Sequence, residues 1–280
     1  MNGKTKIEWA DRVWNPVVGC TPASAGCAHC YAKRIYERFY QERPLSQVQL
    51  HPERLDDPLH WRYPSRVLVN SMSDLFHYEV SYDFIADIVE TIALSPKHTF
   101  MVLTKRPKRM QFIFSEVMKI LADNPLPNLW LGVTVENQQA ADERIPLLLQ
   151  TPAAVRFVSV EPMLGPVDLG NYLCLTHSKG GLTLGNYLDW VICGGETGPG
   201  ARPMHPDWVV SLRDQCVNAN VPFFFKSWGD WEPAYVSMGL NAKYRVFTFP
   251  DRETMYRVGK KTAGRILDGE EWNEFPEVEK

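Results

Sequence analysis

Nearly continuous runs of apolar residues recur along the chain, and each is followed by a longer stretch that can form a helix. Apolar runs of this length are typical of parallel strands that are buried on both faces of a sheet. They predict strands at Val13–Val18, Arg66–Asn70, Phe100–Thr104, Leu129–Val135, Val155–Val160, Trp190–Cys193 and Pro222–Lys226.

The stretches between these runs predict helices at Ala28–Glu42, Tyr82–Leu94, Lys108–Leu121, Gln138–Gln150 and His205–Ala219. Strands that alternate with helices indicate the α/β class, with a parallel sheet. Repetition of the unit predicts a partial or full TIM-like (β/α) barrel over residues 1–228.

Two segments depart from this alternation. Residues 170–188 are rich in glycine and nearly repeat the sequence Leu-Gly-Asn-Tyr-Leu, which predicts an inserted surface flap. Residues 229–280 carry aromatic and charged residues without a helical period. We expect this last segment to form a small β-rich C-terminal appendage.

Composition narrows the class of protein only slightly. Hydrophobic residues make up 45% of the chain and charged residues 22%, as in ordinary globular proteins. No apolar stretch approaches the roughly 20 residues of a membrane span, and the N-terminus lacks a secretory signal, so we expect a cytoplasmic protein. The net charge of −3 gives no global attraction to nucleic acid, which would need a local basic patch.

Polar residues follow five of the apolar runs. In a barrel of parallel strands, the loops at the carboxyl ends of the strands form the active face. Such residues can also cap the next helix without any further role. The five groups are Asn70–Asp74, Thr104–Arg106, Thr134–Asn137, Ser159–Glu161 and Gly194–Glu196.

The six cysteines are unevenly distributed. Cys20, Cys27 and Cys30 lie close together between the first strand and the first helix, whereas Cys174, Cys193 and Cys216 are scattered and expected to be buried hydrophobic residues. Three thiolates can ligate three irons of a [4Fe–4S] cluster and leave the fourth iron open. Alternatively, the cysteines hold zinc, with a distant histidine such as His77 or His205 as the fourth ligand.

The end of this loop, Cys27-Ala-His29-Cys30-Tyr31, resembles the cluster loop of radical S-adenosylmethionine (SAM) enzymes. Six residues separate Cys20 from Cys27, where most of that superfamily has three. The resemblance implies a barrel of the radical SAM type and a [4Fe–4S] cluster with SAM bound at its open iron. It also implies a reductant that supplies one electron, after which a hydrogen is abstracted from a substrate.

A wider set of motifs resembles a narrower family, the phage-associated three-cysteine-motif proteins. They are Trp14–Cys20, Cys30–Ala32, Asn70–Phe76, Leu103–Arg106, Gly132–Glu136, Ser159–Pro162, Gly194–Glu196 and Phe223–Gly229. The succession Ser71-x-Ser73-Asp74 and Leu103-Thr-Lys105 also resembles spore photoproduct lyase and its relatives. These resemblances imply a nucleic-acid base or modified nucleotide as candidate substrate, and a phage-encoded protein as candidate partner.

Site residues follow from the radical SAM resemblance by position. His29 is expected near the adenine of SAM, and Ser71, Ser73 and Asp74 near its amine. Lys105 is expected near the SAM carboxylate or a substrate phosphate. The ribose and carboxylate of SAM are assigned to Thr134, Glu136, Ser159 and Glu161.

These assignments have purely structural alternatives. Asp74 could only cap the following turn, and either glutamate could be a structural acid paired with Arg106, Arg156 or Arg202. The aromatic residues of the appendage suit base stacking or an ordinary β core equally well. The alternative for the whole chain is a non-catalytic module that binds zinc or a phage or host partner on a barrel scaffold, and a cysteine-nucleophile hydrolase has weak support.

Overall fold

A computed structural model of the protein describes residues 5–39, 43–120, 125–173, 187–236 and 244–277. The strands are β1 (Arg12–Trp14), β2 (Val17–Val18), β3 (Gln49–Leu50), β4 (Arg66–Val69), β5 (Thr99–Thr104), β6 (Leu129–Thr134), β7 (Val155–Val160), β8 (Trp190–Gly194), β9 (Phe223–Ser227), β10 (Trp231–Pro233), β11 (Arg245–Thr248) and β12 (Thr254–Arg257). The helices are α1 (Tyr31–Phe39), α2 (Tyr82–Ala93), α3 (Pro107–Ile120), α4 (Gln138–Leu149), α5 (Pro206–Asn218) and α6 (Lys260–Ala263).

Seven strands form one sheet in the order β1-β4-β5-β6-β7-β8-β9. The neighbours β1 and β4, β4 and β5, β5 and β6, and β8 and β9 pair in parallel. The α/β class and its parallel sheet are therefore confirmed. Within the described residues, the strand order has two ends, β1 and β9, which is the arrangement of a partial rather than a closed barrel.

Burial on both faces explains why the strands could be predicted from the sequence. Every residue of β6 and of β8 is buried, so both faces of these strands carry apolar side chains. The helices are amphipathic by contrast. In α2, for example, Ile85, Ile88 and Ile92 are fully buried, and the Ser81 hydroxyl caps the helix by accepting the Phe84 N–H at 3.3 Å.

The predicted strand Val13–Val18 is two short strands, β1 and β2. Pro16 lies between them and has no N–H to donate to a strand pair. Asn70 closes this break: its N–H donates to the Trp14 carbonyl at 2.7 Å, and its Oδ1 accepts the Val17 N–H at 3.1 Å. As a result β2 leaves the parallel sheet and pairs antiparallel with β3.

The chain divides into two compact units. The first comprises residues 1–134 and 143–157, and the second comprises residues 135–142 and 158–280. In the second unit, β10, β12 and β11 form an antiparallel sheet in that order, which is the β-rich structure expected near the C-terminus. The proposed domain boundary at residue 229 stays a prediction.

The outer edge of β9 is covered within the second unit. The N–H of Phe225 donates to the Trp272 carbonyl at 3.0 Å, and the N–H of Phe223 donates to Glu274 Oε2 at 2.8 Å. Of the predicted flap, Gly170–Tyr172 forms a short 3-10 turn, and the Leu188 N–H donates to the Tyr172 carbonyl at 3.0 Å. Its residues 174–186, with Cys174, lie outside the described residues.

The helices in the described part of the chain are all too short or too polar to cross a membrane.

Candidate metal centre

The three-cysteine loop connects β2 to α1 and begins at a glycine that the backbone requires. Gly19 has φ +104°, and a Cβ there would lie 2.5 Å from the Gln47 carbonyl oxygen. Its N–H donates to the Met72 carbonyl at 3.1 Å, and the Cys20 N–H donates to the Leu45 carbonyl at 2.8 Å. These contacts fix the backbone at the first candidate ligand.

The other two cysteines lie where the loop enters α1. Cys27 ends a 3-10 turn, and its sulfur accepts the Ala23 N–H at 3.4 Å. Cys30 directly precedes α1 and packs against the buried cluster of Ala32, Tyr36 and Leu45. Cys20, Cys27 and Cys30 are all half-buried free thiols, and half-buried His29 lies between the last two.

The charge around the thiols bears on ligation. The pKa of Cys20 is raised to about 11, mainly by burial and also by the charges of Asp74, Cys27 and Cys30, while Arg106 acts to lower it. Metal ligation requires the thiolate, so a bound metal centre must displace the Cys20 proton. A cationic centre ligated by all three sulfurs would also relieve their mutual repulsion.

Three thiols are donors that both a structural zinc site and a [4Fe–4S] cluster use. Among the described residues, His205, Asp207 and Asp251 also place three ligand atoms within 4.8 Å of one another.

Both histidines that could have completed a zinc site have engaged ring nitrogens. His77 Nε2 lies 2.8 Å from Thr21 Oγ1 and its Nδ1 accepts the Glu79 N–H at 3.3 Å. His205 contacts Asp251 and caps α5 by accepting the Asp207 N–H.

Asp74, in the loop after β4, joins two neighbouring strand ends. Its Oδ1 accepts the Phe76 N–H at 3.0 Å and the Thr104 hydroxyl at 2.7 Å. Its Oδ2 accepts the Lys105 N–H at 3.1 Å and the Arg106 guanidinium at 3.2 Å. Asp74 is 6% exposed, so this buried carboxylate fixes the loop after β5 against the loop after β4.

Arg106 connects that carboxylate to the cysteine loop. One guanidinium nitrogen lies 3.2 Å from Asp74 Oδ2 and 3.9 Å from Cys20 Sγ. The other donates to the carbonyl and the hydroxyl of Thr21, at 2.9 and 3.0 Å. A guanidinium fork thus fixes the position of the loop and brings a positive charge to the first sulfur.

His77 completes the network as a neutral imidazole. Because Nδ1 accepts an N–H, the proton lies on Nε2, which donates to Thr21 Oγ1. Burial and the charge of Arg106 lower the pKa of His77 below its ordinary value, which agrees with the neutral form.

The serines predicted to meet SAM are held by short polar contacts. The Ser71 hydroxyl donates to Asn15 Oδ1 at 3.1 Å, and the Ser73 hydroxyl donates to the Val17 carbonyl at 2.9 Å. The Tyr31 hydroxyl donates to the Ser71 carbonyl and so ties α1 to this loop. Together with the Gly19–Ser73 bridge, they bring Ser71, Ser73 and Asp74 next to the cysteine loop.

The remaining predicted residues divide between the two units. Thr134 lies in the first unit, is buried, and its carbonyl accepts the Arg144 guanidinium at 2.6 Å. Glu136, Ser159 and Glu161 lie in the second unit. Glu136 and Ser159 are each 1% exposed, and Glu161 forms an ion pair with Lys226.

The second unit also contains a bidentate ion pair between an arginine and a glutamate. Arg202 donates to Glu196 Oε2 at 2.8 Å and to Oε1 at 2.6 Å, and its N–H donates to Oε2. The glycine before this acid is required, since a Cβ at Gly195 would lie 2.0 Å from the Trp228 carbonyl oxygen. Cys193 and Cys216 are fully buried, as predicted.

Arg106, Thr21 and Asn15 are the site residues that sequence reasoning missed. The sequence placed Arg106 in a polar strand-end group and as a possible partner of a glutamate, whereas its partners are Asp74 and the cysteine loop. Its position directly after Lys105, at the end of a predicted strand, was the available signal.

Fold and site together define an α/β protein with a parallel sheet and a three-thiol loop suited to metal ligation. The chain belongs to the family described as "Protein of unknown function (DUF5131)", whose profile matches residues 4–276. No curated protein matches the chain.

Solved structures of spore photoproduct lyase are similar to the chain, with low sequence identity and low TM-scores. The enzyme complexed with dinucleoside spore photoproduct shares 11% identity at a TM-score of 0.42, over 91% of this chain and 70% of that one. A mutant with bound AdoMet and the same dinucleoside shares 11% identity at a TM-score of 0.43, over 89% and 68%. These values are too low to transfer a function.

Proposed function

We propose that the chain is a radical SAM enzyme in which Cys20, Cys27 and Cys30 hold a [4Fe–4S] cluster. The observation that supports this most directly is the group of three free thiols on one loop, with both candidate histidine ligands engaged elsewhere. Such a cluster, with SAM at its open iron, supplies an electron that cleaves SAM into methionine and a 5′-deoxyadenosyl radical.

The chain's own residues would hold and orient the reactants. Asp74 Oδ2 fixes the Lys105 backbone and the Arg106 side chain, so the contribution of Asp74 to SAM binding is the position of these neighbours. The Lys105 ammonium is a candidate partner for the SAM carboxylate. His29 would lie against the adenine, and the loop Ser71–Ser73 would face the SAM amine.

The four remaining predicted residues keep the role that the resemblance implies. Thr134, at the end of β6, together with Glu136, Ser159 and Glu161 is proposed to meet the ribose and the carboxylate of SAM. Burial of Glu136 and Ser159 would keep water away from these contacts. Residues 1–228 are proposed to form the catalytic barrel and residues 229–280 the appendage.

The proposed substrate is a nucleic-acid base or a modified nucleotide. It is supported by the resemblance carried by Ser71, Ser73, Asp74 and Lys105 in their two motifs. A cytoplasmic location, a one-electron reductant and a phage-encoded partner belong to the same proposal.

Metal content and electron paramagnetic resonance test the proposal. Anaerobically reconstituted protein should contain iron and sulfide in about four copies each, and its dithionite-reduced signal should change when SAM is added. Cys27→Ala should lose the signal, whereas Cys216→Ala, which alters a buried cysteine of α5, should keep it. Stoichiometric zinc without sulfide, or a signal indifferent to SAM, would favour the zinc-binding module.

A further inference from the structure

A cavity of about 420 Å³ in the first unit lies beside the cysteine loop. Ala23 of that loop is part of its wall, and the segment that joins β5 to α3 provides another part. The volume is in the range of sites that bind small organic ligands. The cavity is therefore large enough for a ligand of nucleotide size.

Positive charge dominates this cavity. Its wall contains one carboxylate, that of Glu143, and five cationic side chains, which are Lys105, Arg106, Lys108, Arg109 and Arg144. Asp74 balances the charge of Arg106 from outside the cavity wall. Such an excess of cations is notable in a chain with a net charge of −3 and indicates an anionic ligand.

Arg109 and Lys108 are the strongest candidates for binding an anion. The Arg109 guanidinium donates to the carbonyl oxygens of His77 and Val80, which orient it without carrying an opposite charge. Burial lowers the pKa of Arg109, and the neighbouring Arg106 adds to this effect while Asp74 opposes it. Lys108 is exposed at the start of α3, where it can reach an incoming anion.

Two aromatic residues stand among these cations. Phe76 is fully buried, but Tyr78 is 68% exposed. The Tyr78 ring packs on His77, with centroids 4.3 Å apart and an interplanar angle of 32°. An exposed ring that is supported on its other face suits stacking with a nucleobase.

We infer that this cavity binds a nucleotide, with the phosphate on Lys108 and Arg109 and the base against Tyr78. Guanidinium and ammonium groups are the preferred protein partners of phosphate. The nucleotide could be free or part of a strand, since the phosphate chemistry is the same. Its role as the substrate of hydrogen abstraction rests on the proposed function, whereas its binding does not.

Fluorescence anisotropy of a labelled short single-stranded oligonucleotide on the reconstituted full chain tests the inference. Lys108→Glu should weaken binding about tenfold and reduce its salt dependence, because a phosphate contact is lost. Lys97→Glu is the matched control: it makes the same charge change at an exposed lysine before β5, at the other end of that strand, and should change affinity less than twofold.

Competitors distinguish the sources of the ligand. A mononucleotide should displace the oligonucleotide if the site takes free nucleotides, and only longer strands should do so if it takes nucleic acid; either result supports the site. Displacement by the unphosphorylated nucleoside as strong as by the nucleotide, displacement by SAM alone, or equal losses in Lys97→Glu and Lys108→Glu would overturn it. Retained binding without any SAM cleavage would refute the proposed function and leave the site.

Discussion

The two units treat the acids near their strand ends differently. In the first unit, Asp74 is bound by groups from two loops and, through Arg106, is linked to a cysteine sulfur 3.9 Å from the guanidinium. In the second unit, Glu161 pairs with Lys226, and Glu196 forms a fork with Arg202 six residues later. Asp74 is connected to candidate metal ligands, whereas Glu161 and Glu196 are ion-paired with Lys226 and Arg202.

This difference separates polar residues that could act at a metal centre from those that only stabilise the fold. A buried acid with one matched cation lowers its own desolvation cost and needs no further explanation. Asp74 differs, because its partner Arg106 also contacts the Cys20 sulfur and the Thr21 carbonyl. This acid therefore connects the end of a strand to the cysteine loop. We therefore expect changes at Asp74 and Arg106 to alter the metal centre, and changes in the pair of Glu196 and Arg202 to alter stability alone.

The largest effect is expected from Gly19→Ala. The new Cβ would meet the Gln47 carbonyl at 2.5 Å in a backbone with φ +104°, so we expect the free energy of unfolding to fall by about 3 kcal/mol. Iron content should fall with it. Urea unfolding and metal analysis measure both.

Gly269→Ala is the matched control for that change. Its φ of +84° is also positive, but no atom lies within 4 Å of the added Cβ, so a loss of about 1 kcal/mol from strain alone is expected. Equal effects of the two substitutions on iron content would show that Gly19 does not shape the cysteine loop.

Asp74→Asn and Glu196→Gln test the difference between the two acids directly. Each removes a buried carboxylate charge opposite an arginine, and each should cost about 3 kcal/mol of unfolding free energy. Only Asp74→Asn should also reduce iron retention after reconstitution, because it releases Arg106 from the cysteine loop. Comparable iron loss in Glu196→Gln would remove the distinction between the networks.

Arg106→Lys should have a smaller effect on stability, about 1 kcal/mol, since an ammonium cannot reproduce the fork to Thr21 and Asp74. The charge near Cys20 would move, so the midpoint potential of the cluster should shift. Redox titration followed by paramagnetic resonance measures this. Arg202→Lys should leave the potential unchanged, and a wild-type potential in Arg106→Lys would contradict the link to Cys20.

The smallest effect concerns pH. The pKa of His77 is lowered from its ordinary value of 6.5, so the unfolded chain binds this proton more tightly than the folded one. The stabilisation is present above that value and is lost as the pH falls through it. Urea unfolding between about pH 7 and pH 5 should give a shallower loss of stability in His77→Gln than in wild type, and equal slopes would count against a neutral buried His77.

The sequence was most informative where residues are buried on two faces. The strand Val155–Val160 was predicted with its observed bounds, because a mostly apolar run, interrupted here by Arg156 and Ser159, is typical of a buried parallel strand. The break at Pro16 was missed, because Asn70 bonds to Val17 from 53 positions away, a distance at which local patterns carry no information. The cysteine ligands were predicted from their clustering and from the family resemblance, and they stay a prediction.

Long-range polar partners were the part that could not be predicted. Arg106 and Cys20 are 86 positions apart, and Glu161 and Lys226 are 65 apart. A strand-end position indicates which edge of a sheet a side chain occupies, but the partner depends on how loops pack. Asp74 was predicted near the SAM amine, which stays a prediction, and the use of both its oxygens by neighbours became visible only in the structure.

The most direct test of the central claim is the formation of 5′-deoxyadenosine from SAM. Reconstituted, dithionite-reduced wild-type protein should release it, as measured by chromatography, and Cys27→Ala should release none, while Cys216→Ala behaves as wild type. Absence of 5′-deoxyadenosine from wild-type protein that carries a complete cluster, or equal formation by Cys27→Ala, would contradict the account.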